Sequence, residues 1–243
     1  MTNHSTRRIL TLTAAFALAP LIAWADAPAT QPSDDIDPGV TFAAPSNVSH
    51  EDVLASRSEN AEARGPNSAP VKLFICAPAS IGFTTKAQPK FVWYLNSPTD
   101  LPISIVVSAP RHHDVVLWNS TGTVPAGIHL LDSAGSALEL AVGQDYKWSI
   151  KVIFDETDAS HNNYSSAMIR RIDKSDPNAA QGVFFDILAS RVNHLAKSDA
   201  AGDTDASAKA KDSVDELLKQ VGLDAPQDHH VILDTPTPQA AEQ

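Results

Sequence analysis

The chain has 243 residues, and its 18 Lys and Arg residues against 29 Asp and Glu residues give a formal net charge of −11 at pH 7. Such an acidic chain repels phosphate backbones and anionic lipid headgroups, so the composition argues against nucleic acid as a partner. The single cysteine, Cys76, lies in an apolar run. It cannot form an internal disulfide and is predicted to be a buried core residue.

The first 25 residues have the features of a secretory signal peptide. Arg7 and Arg8 precede the uncharged apolar run 9–22, and Ala23-Trp24-Ala25 has the small-x-small pattern of a cleavage site. The apolar run is shorter than the ~20 residues that span a bilayer, so cleavage is expected rather than stable membrane insertion. The general secretory route is favoured, with twin-arginine export as the alternative. The mature protein is therefore expected to be periplasmic or secreted.

The rest of the chain divides into four parts by composition and hydrophobic period. Residues 26–69 are rich in Ala, Pro, Ser and Asp without a sustained period, which predicts a disordered leader. Residues 70–174 have the period of strands, which predicts a β-sandwich domain, and residues 175–223 have the period of helices. Composition again predicts disorder in the tail, residues 224–243.

Seven short runs in the β domain have the two-residue alternation of strands. In the clearest run, Tyr146, Trp148 and Ile150 fall on one face and Lys147 and Ser149 on the other. The other six runs, separated by Pro, Gly, Asn and Asp, cover residues 71–76, 90–95, 103–108, 114–119, 127–131 and 165–172. Strands at this spacing predict a mainly β fold, an immunoglobulin-like antiparallel β-sandwich of about seven strands.

The run 91–95, Phe-Val-Trp-Tyr-Leu, is either a binding platform or a core strand. Alternation places Phe91 and Trp93 on the inner face, against the strand that contains Trp148. Each buried side chain there contributes roughly 1.5–3 kcal/mol, which is enough to make these residues structural. Tyr94 falls on the opposite face, where it is expected to be partly exposed and to meet the C-terminal helices or a ligand.

Helical spacing replaces the two-residue period after Ser175-Asp176-Pro177, a favourable N-cap and first turn. Apolar residues recur at this spacing from Val183 to Leu195, and a second stripe runs from Val214 to Val221. These two helices are predicted to pair antiparallel and to pack an apolar side on the sandwich. Docking of a partner on the stripes is the alternative.

Eight short segments follow one another in a distinctive order. They are FICAP (74–78), IGFTT (81–85), QPKFVWY (88–94), PAGIHL (125–130), LELAVGQDYKW (138–148), IRRI (169–172), GVFFDIL (182–188) and LLKQVGL (217–223). Their joint order, over roughly residues 71–223, resembles a bacterial family of exported proteins catalogued as domain of unknown function 928. The chain departs from the family where a Gly-rich segment is reduced to Arg64-Gly65, and where Phe184-Phe185 replaces a common Trp-Tyr pair. The resemblance implies no catalytic residue.

The densest cluster of ligand-capable side chains is His112-His113-Asp114, on a turn between two predicted strands. Zinc or copper needs three or four convergent ligands, and adjacent histidines on an extended chain point in opposite directions. Residues 155–160 are rich in oxygen ligands but lack the spacing and central glycine of a calcium loop. The sequence therefore predicts neither a metal site nor a cofactor.

Two classes of function fit these observations. The preferred one is a non-catalytic extracytoplasmic binding or scaffolding module for an unknown envelope or secreted protein. The alternative is a carbohydrate-binding protein or hydrolase with a loop-built site, whose candidate lining is Tyr94, His112, His113, Asp114 and Trp118. The alternative predicts a cleft that gathers an exposed aromatic ring with carboxylates or histidines. The preferred function predicts an apolar surface feature without acid–base groups.

Overall fold

The computed structural model describes residues 40–43, 61–63, 71–109, 114–154 and 162–237. Within these ranges, two five-stranded sheets are followed by a pair of helices in the last third of the chain. The predicted signal peptide and most of the predicted leader lie outside the described residues.

The strands are short. Their bounds are β1 Ala61–Ala63, β2 Val71–Ile75, β3 Gly82–Thr84, β4 Lys90–Leu95, β5 Ile103–Ser108, β6 Val115–Asn119, β7 Gly127–Asp132, β8 Asp145–Val152, β9 Asn163–Arg171 and β10 Val231–Asp234. The helices are α1 Phe184–Ala201 and α2 Thr204–Gln220, and a 3-10 turn, Pro177–Ala180, precedes α1.

The first sheet has the strand order β1-β2-β4-β7-β10, and its pairs are antiparallel except for β10, which runs parallel to β7. The second sheet has the order β3-β9-β8-β5-β6, and β3 runs parallel to β9. The mainly β, two-sheet architecture and the seven predicted strands, β2 and β4 to β9, are confirmed. The sequence did not predict β1, β3 and β10, because three or four residues are too few to establish a period. Because β3 and β10 pair in parallel, the expectation of a purely antiparallel sandwich is corrected.

The two sheets pack face to face through large side chains. Phe91 and Trp93 of β4 are fully buried, and the ring of Phe91 lies 4.9 Å from that of Trp148 on β8. The predicted inner face of β4 is therefore confirmed. Cys76, which follows β2, is also buried, as its apolar setting predicts.

The helix pair begins later than the sequence predicts. Asp176 and Pro177 start the 3-10 turn, in which the Asp176 side chain accepts a hydrogen bond from the Asn178 amide at 2.8 Å. The α-helix α1 begins only at Phe184, because Gly182, a poor helix former, interrupts the helical run. Neither helix of the described chain combines the length and apolarity needed to span a bilayer.

A tight turn joins the two helices, which pack against each other, and α1 also packs against β3 and β4. Gly202 ends α1 with a φ of +69°, in the left-handed region that favours glycine. Asp203 begins α2, and its side chain accepts a hydrogen bond from the Ala206 amide at 2.9 Å. The pair thus packs on the sandwich through α1, which contacts strands of both sheets, as the apolar stripes predict.

Part of the predicted leader lies against the helices. Phe42 is buried edge-on against Phe184, with 5.4 Å between ring centroids. The buried Arg191 of α1 donates to the Val40 carbonyl at 2.9 Å and to the Ser213 carbonyl of α2. The described residues 40–43 are therefore ordered by an aromatic contact and an arginine, which short sequence windows do not predict.

The C-terminal strap, residues 224–237, joins the edges of the two sheets. Its strand β10 extends the first sheet beside β7. Beyond β10, the Thr237 amide donates to the Leu117 carbonyl of β6 at 2.9 Å, and the Thr237 hydroxyl accepts from the Asn119 amide at 3.0 Å. The strap differs from the disordered tail that composition predicts, because backbone pairing rather than an apolar period orders it.

Candidate functional site

The first turn of α1 places a buried carboxylate against the end of β3. Asp186, 7% exposed, accepts hydrogen bonds from the Thr84 hydroxyl and from the Thr85 amide and hydroxyl, the last two at 2.8 Å. Burial raises the pKa of Asp186, while these hydrogen bonds act in the opposite direction. Donors from its own chain surround the carboxylate, so it fixes α1 to β3 and is not presented to a substrate.

A buried histidine–aspartate pair fixes the strap. His129 of β7 is fully buried and stacks on Trp93 with 3.8 Å between ring centroids. Its Nδ1 lies 3.1 Å from Asp234 of β10, and its Nε2 lies 3.0 Å from the Pro125 carbonyl. The two ring nitrogens thus face a carboxylate and a backbone carbonyl of the same chain. Neither nitrogen is free for general acid or base chemistry.

Tyr94 is an anchor for the same strap. Its side chain is 3% exposed, and its hydroxyl accepts hydrogen bonds from the Gln227 and Asp228 amides at 3.2 and 3.3 Å. Nearby, His229 of the strap lies 2.7 Å from Asp215 of α2. The partial exposure predicted for Tyr94 is therefore corrected: the strap, which was expected to be loose, covers it.

The other predicted binding residues are not gathered into one cleft within the described chain. Trp118 is half-buried, and its ring centroid lies 6.0 Å from that of the core residue Trp93. Asp114 is exposed just before β6. His112 and His113 lie outside the described residues, as does the oxygen-rich turn 155–160. No group of three or more His, Cys, Asp and Glu residues in the described ranges is arranged to hold a metal ion.

A cavity of about 320 Å³ lies where α1 begins and α2 ends. We call it the helix-end cavity. Its walls are formed by Phe42, the β2–β3 connection, Phe184 and the residues that terminate α2. The apolar side chains are Phe42, Pro78, Ala79, Ile81, Phe184 and Val221, and the polar ones are Ser80 and Gln220.

No ionisable side chain lines this cavity in the described part of the chain. Its volume falls at the lower end of the range for small-molecule pockets, about 300–1,000 Å³. A site of this size and polarity accommodates a single aromatic ring or a short aliphatic chain. Among the described lining residues there is no histidine, carboxylate or cationic side chain to act as a general base or to stabilise charge.

Fold and site together define a two-sheet β protein with a covering helix pair and an apolar cavity at the helix ends. The chain belongs to the family described as Domain of Unknown Function (DUF928), whose model matches residues 54–231. No curated protein and no solved structure matches it.

The segments that carry the family resemblance build structural anchors. A Cβ at Gly82 would lie 2.4 Å from the Phe185 ring, so segment 81–85 requires a glycine where α1 approaches β3. Segment 138–148 contributes Asp145, which Arg170 binds through two hydrogen bonds of 2.5 and 2.9 Å. These segments hold elements of the fold together.

Sequence reasoning missed Asp186, Asp234 and the helix-end cavity. Asp186 and its partners Thr84 and Thr85 lie in GVFFDIL and IGFTT, two of the eight segments that carry the family resemblance. Nothing in either segment alone indicated that the two meet in the fold. Asp234 lies in a region whose composition predicts disorder. Cavities form between elements distant in sequence, and no single segment encodes them.

Proposed function

We propose that this protein is an exported, non-catalytic binding module that accepts an apolar group of an envelope or secreted protein in the helix-end cavity. The observation that carries the proposal is the lining of that cavity, which is apolar and free of ionisable side chains among the described residues. Such a surface feature suits a recognition module, and its described lining offers none of the acid–base groups around which a hydrolase site is built. Export to the periplasm or beyond is supported by the charge and apolar pattern of residues 1–25.

The buried polar groups favour the same function. Asp186 and the His129–Asp234 pair are the ionisable groups that a catalytic site would most readily recruit, because they are removed from water. Each is bonded within its own chain. These ionisable groups therefore stabilise the fold, and none of them lines the helix-end cavity.

The proposal includes an immunoglobulin-like relationship for the sandwich. In support, the Tyr146 hydroxyl at the start of β8 accepts a hydrogen bond from the Ala141 amide at 2.9 Å. A tyrosine that bonds backbone a few residues upstream is a feature of immunoglobulin-like sandwiches, where it fixes the corner between strands. The parallel edge strands β3 and β10 are additions to that plan.

The experiment is a titration of the protein, expressed without residues 1–25, with N-phenyl-1-naphthylamine, a neutral apolar dye. Ala79 is exposed and borders the cavity, so Ala79→Trp fills the cavity without replacing a core side chain. Ala137→Trp, on an exposed loop outside the lining, is the matched control. The proposal predicts saturable dye binding that Ala79→Trp abolishes and Ala137→Trp retains. Equal binding by both variants, or no saturable binding by the wild type, contradicts it.

A further inference from the structure

The outer face of the second sheet is a polar surface that the helices do not cover. In the described chain, α1 packs on β3, β4, β7 and β10, and Phe185 of α1 reaches β8 at Trp148, on the inner side of that strand. Along β8, Tyr146 and Trp148 are buried, while Lys147, Ser149 and Lys151 point outward. We call the outward side of β5, β8 and β9 the open face.

Strand register arranges the open face in rows. Three outward residues of β8 each stand between one residue of β5 and one of β9. The three rows are Ser104–Lys151–Tyr164, Val106–Ser149–Ser166 and Ser108–Lys147–Met168. Alternate residues of a strand are about 7 Å apart, so the two lysines stand about 14 Å from each other with serine hydroxyls between them.

The charge of the open face is opposite to that of the chain. Three cations, Lys147, Lys151 and Arg170, share the face with one carboxylate, Asp145. Arg170 binds Asp145 with two hydrogen bonds, so the lysines dominate the local potential. The whole chain, by contrast, has a net charge of −11. A positive face on an acidic protein is complementary to an anionic partner.

An aromatic ring lies at one end of this face. Tyr164 is 48% exposed, which makes it one of the most exposed large apolar side chains of the described chain, and the Lys151 ammonium lies 5.7 Å from its ring centroid. A flat, exposed ring offers a stacking surface for a sugar ring, and the adjacent ammonium and hydroxyl groups can bond sugar hydroxyls and carboxylates.

We propose that the open face binds an acidic polysaccharide. The site is separate from the helix-end cavity and goes beyond the function proposed for it. Acidic peptide motifs are typically bound by clusters of arginines, whereas Arg170 of the open face is bonded to Asp145 and the remaining cations are lysines. At physiological ionic strength charges are screened over about 8 Å, so a polymer lying on the face interacts with the lysines more strongly than with distant carboxylates.

The experiment measures binding of the protein without residues 1–25 to polygalacturonate by isothermal titration calorimetry at low and high salt. The double variant Lys147→Gln/Lys151→Gln removes two charges from the open face. The control Lys209→Gln/Lys219→Gln removes two charges from exposed positions of α2, so the net charges of the two variants match. We expect the open-face variant to bind roughly tenfold more weakly, the control to bind like the wild type, and added salt to weaken binding.

One further variant and two further ligands test which chemical features of the polysaccharide and of the face are required for binding. Tyr164→Ala is expected to weaken polygalacturonate binding while leaving the unfolding midpoint in urea close to that of the wild type, because the ring is half exposed. Dextran, a neutral polysaccharide, and polyglutamate, an acidic peptide, should bind much more weakly than polygalacturonate. Equal binding of polyglutamate would assign the face to acidic peptides and overturn the proposal. Equal binding of dextran, or equal loss in both lysine variants, would overturn it as well.

Discussion

The two sheets share one core but differ on their outer sides. In the first sheet, β4 is buried on both faces: Trp93 faces the second sheet and Tyr94 lies under the strap. In the second sheet, β8 is buried on one face only, and Lys147 and Lys151 point outward. The central strands β4 and β7 of the first sheet are therefore inner strands of the molecule, whereas β8 supplies part of its surface.

The difference teaches how to interpret an apolar strand. The run 91–95 is continuously apolar because both of its faces are covered, whereas β8 alternates because one face meets water. A continuous run of aromatic and aliphatic residues therefore indicates a doubly covered strand before it indicates a binding platform. The surface available for recognition lies on the alternating strands, where aromatic residues are sparse.

The largest expected effect comes from removing the side chain where α1 meets both sheets. Phe185 is buried, and its ring lies 6.5 Å from that of Phe91 and 6.2 Å from that of Trp148. Phe185→Ala is expected to reduce the free energy of unfolding by about 3–5 kcal/mol, through lost burial and the cavity left behind. Urea denaturation followed by tryptophan fluorescence measures the loss.

The matched change on the open face is Tyr164→Ala. Because the Tyr164 ring is half exposed, its removal is expected to cost less than about 1 kcal/mol. A loss of stability in Tyr164→Ala as large as that in Phe185→Ala would show that something covers the open face, and the contrast between the sheets would fail.

A smaller effect is expected at the strap. Asp234→Ala leaves Nδ1 of the buried His129 without its partner, which is expected to cost about 1.5–3 kcal/mol. Leu233→Ala on the same strand is the control, because Leu233 is 63% exposed. Amide hydrogen exchange of β10 should accelerate in Asp234→Ala and remain slow in Leu233→Ala. Similar exchange in the two variants would show that backbone pairing alone holds the strap.

The pH dependence of stability tests the Asp186 anchor. Burial raises the pKa of Asp186, so the folded chain holds this proton more tightly than the unfolded chain does. The stabilisation from the protonated carboxyl is fully present below the ordinary aspartate pKa, about 3.9, and is lost as the pH rises through the raised value. Asp186→Asn does not titrate, so its stability relative to the wild type should improve across that window. A difference that is constant with pH contradicts this account.

A small effect is expected at Tyr94. Tyr94→Phe keeps the buried ring and removes an acceptor of two long hydrogen bonds from the strap, which is expected to cost about 0.5–1.5 kcal/mol. Binding of the apolar dye and of polygalacturonate should be unchanged. A loss of either ligand with unchanged stability would return Tyr94 to the binding role that the sequence suggested.

The sequence predicted the seven longer strands because each is long enough to show at least two alternations between inward and outward residues. Such an alternation can be recognised in a short stretch of sequence. It also placed Phe91 and Trp93 correctly, since the inner face of a strand follows from its period. It failed at β10 and at Tyr94 for one reason: the strap is held by backbone pairing and by His129, whose partner is 105 residues away. Long-range pairs of single polar residues leave no period in the sequence.

The sites were less predictable than the fold. Of the cluster His112-His113-Asp114, the described chain contains only Asp114, so its binding role stays a prediction. Tyr164 and Lys151 are 13 residues apart and become neighbours only through the register of β8 and β9. The helix-end cavity depends on where two helices end, and the start of α1 was itself predicted too early.

Nitration by tetranitromethane, located by peptide mass spectrometry, tests the contrast between the two outer faces most directly. The chain has three tyrosines, and each reports one environment: Tyr94 under the strap, Tyr146 at the start of β8, and Tyr164 on the open face. The account predicts that the native protein is nitrated at Tyr164 alone, and at all three positions after unfolding. Nitration of native Tyr94 as fast as Tyr164 would contradict it.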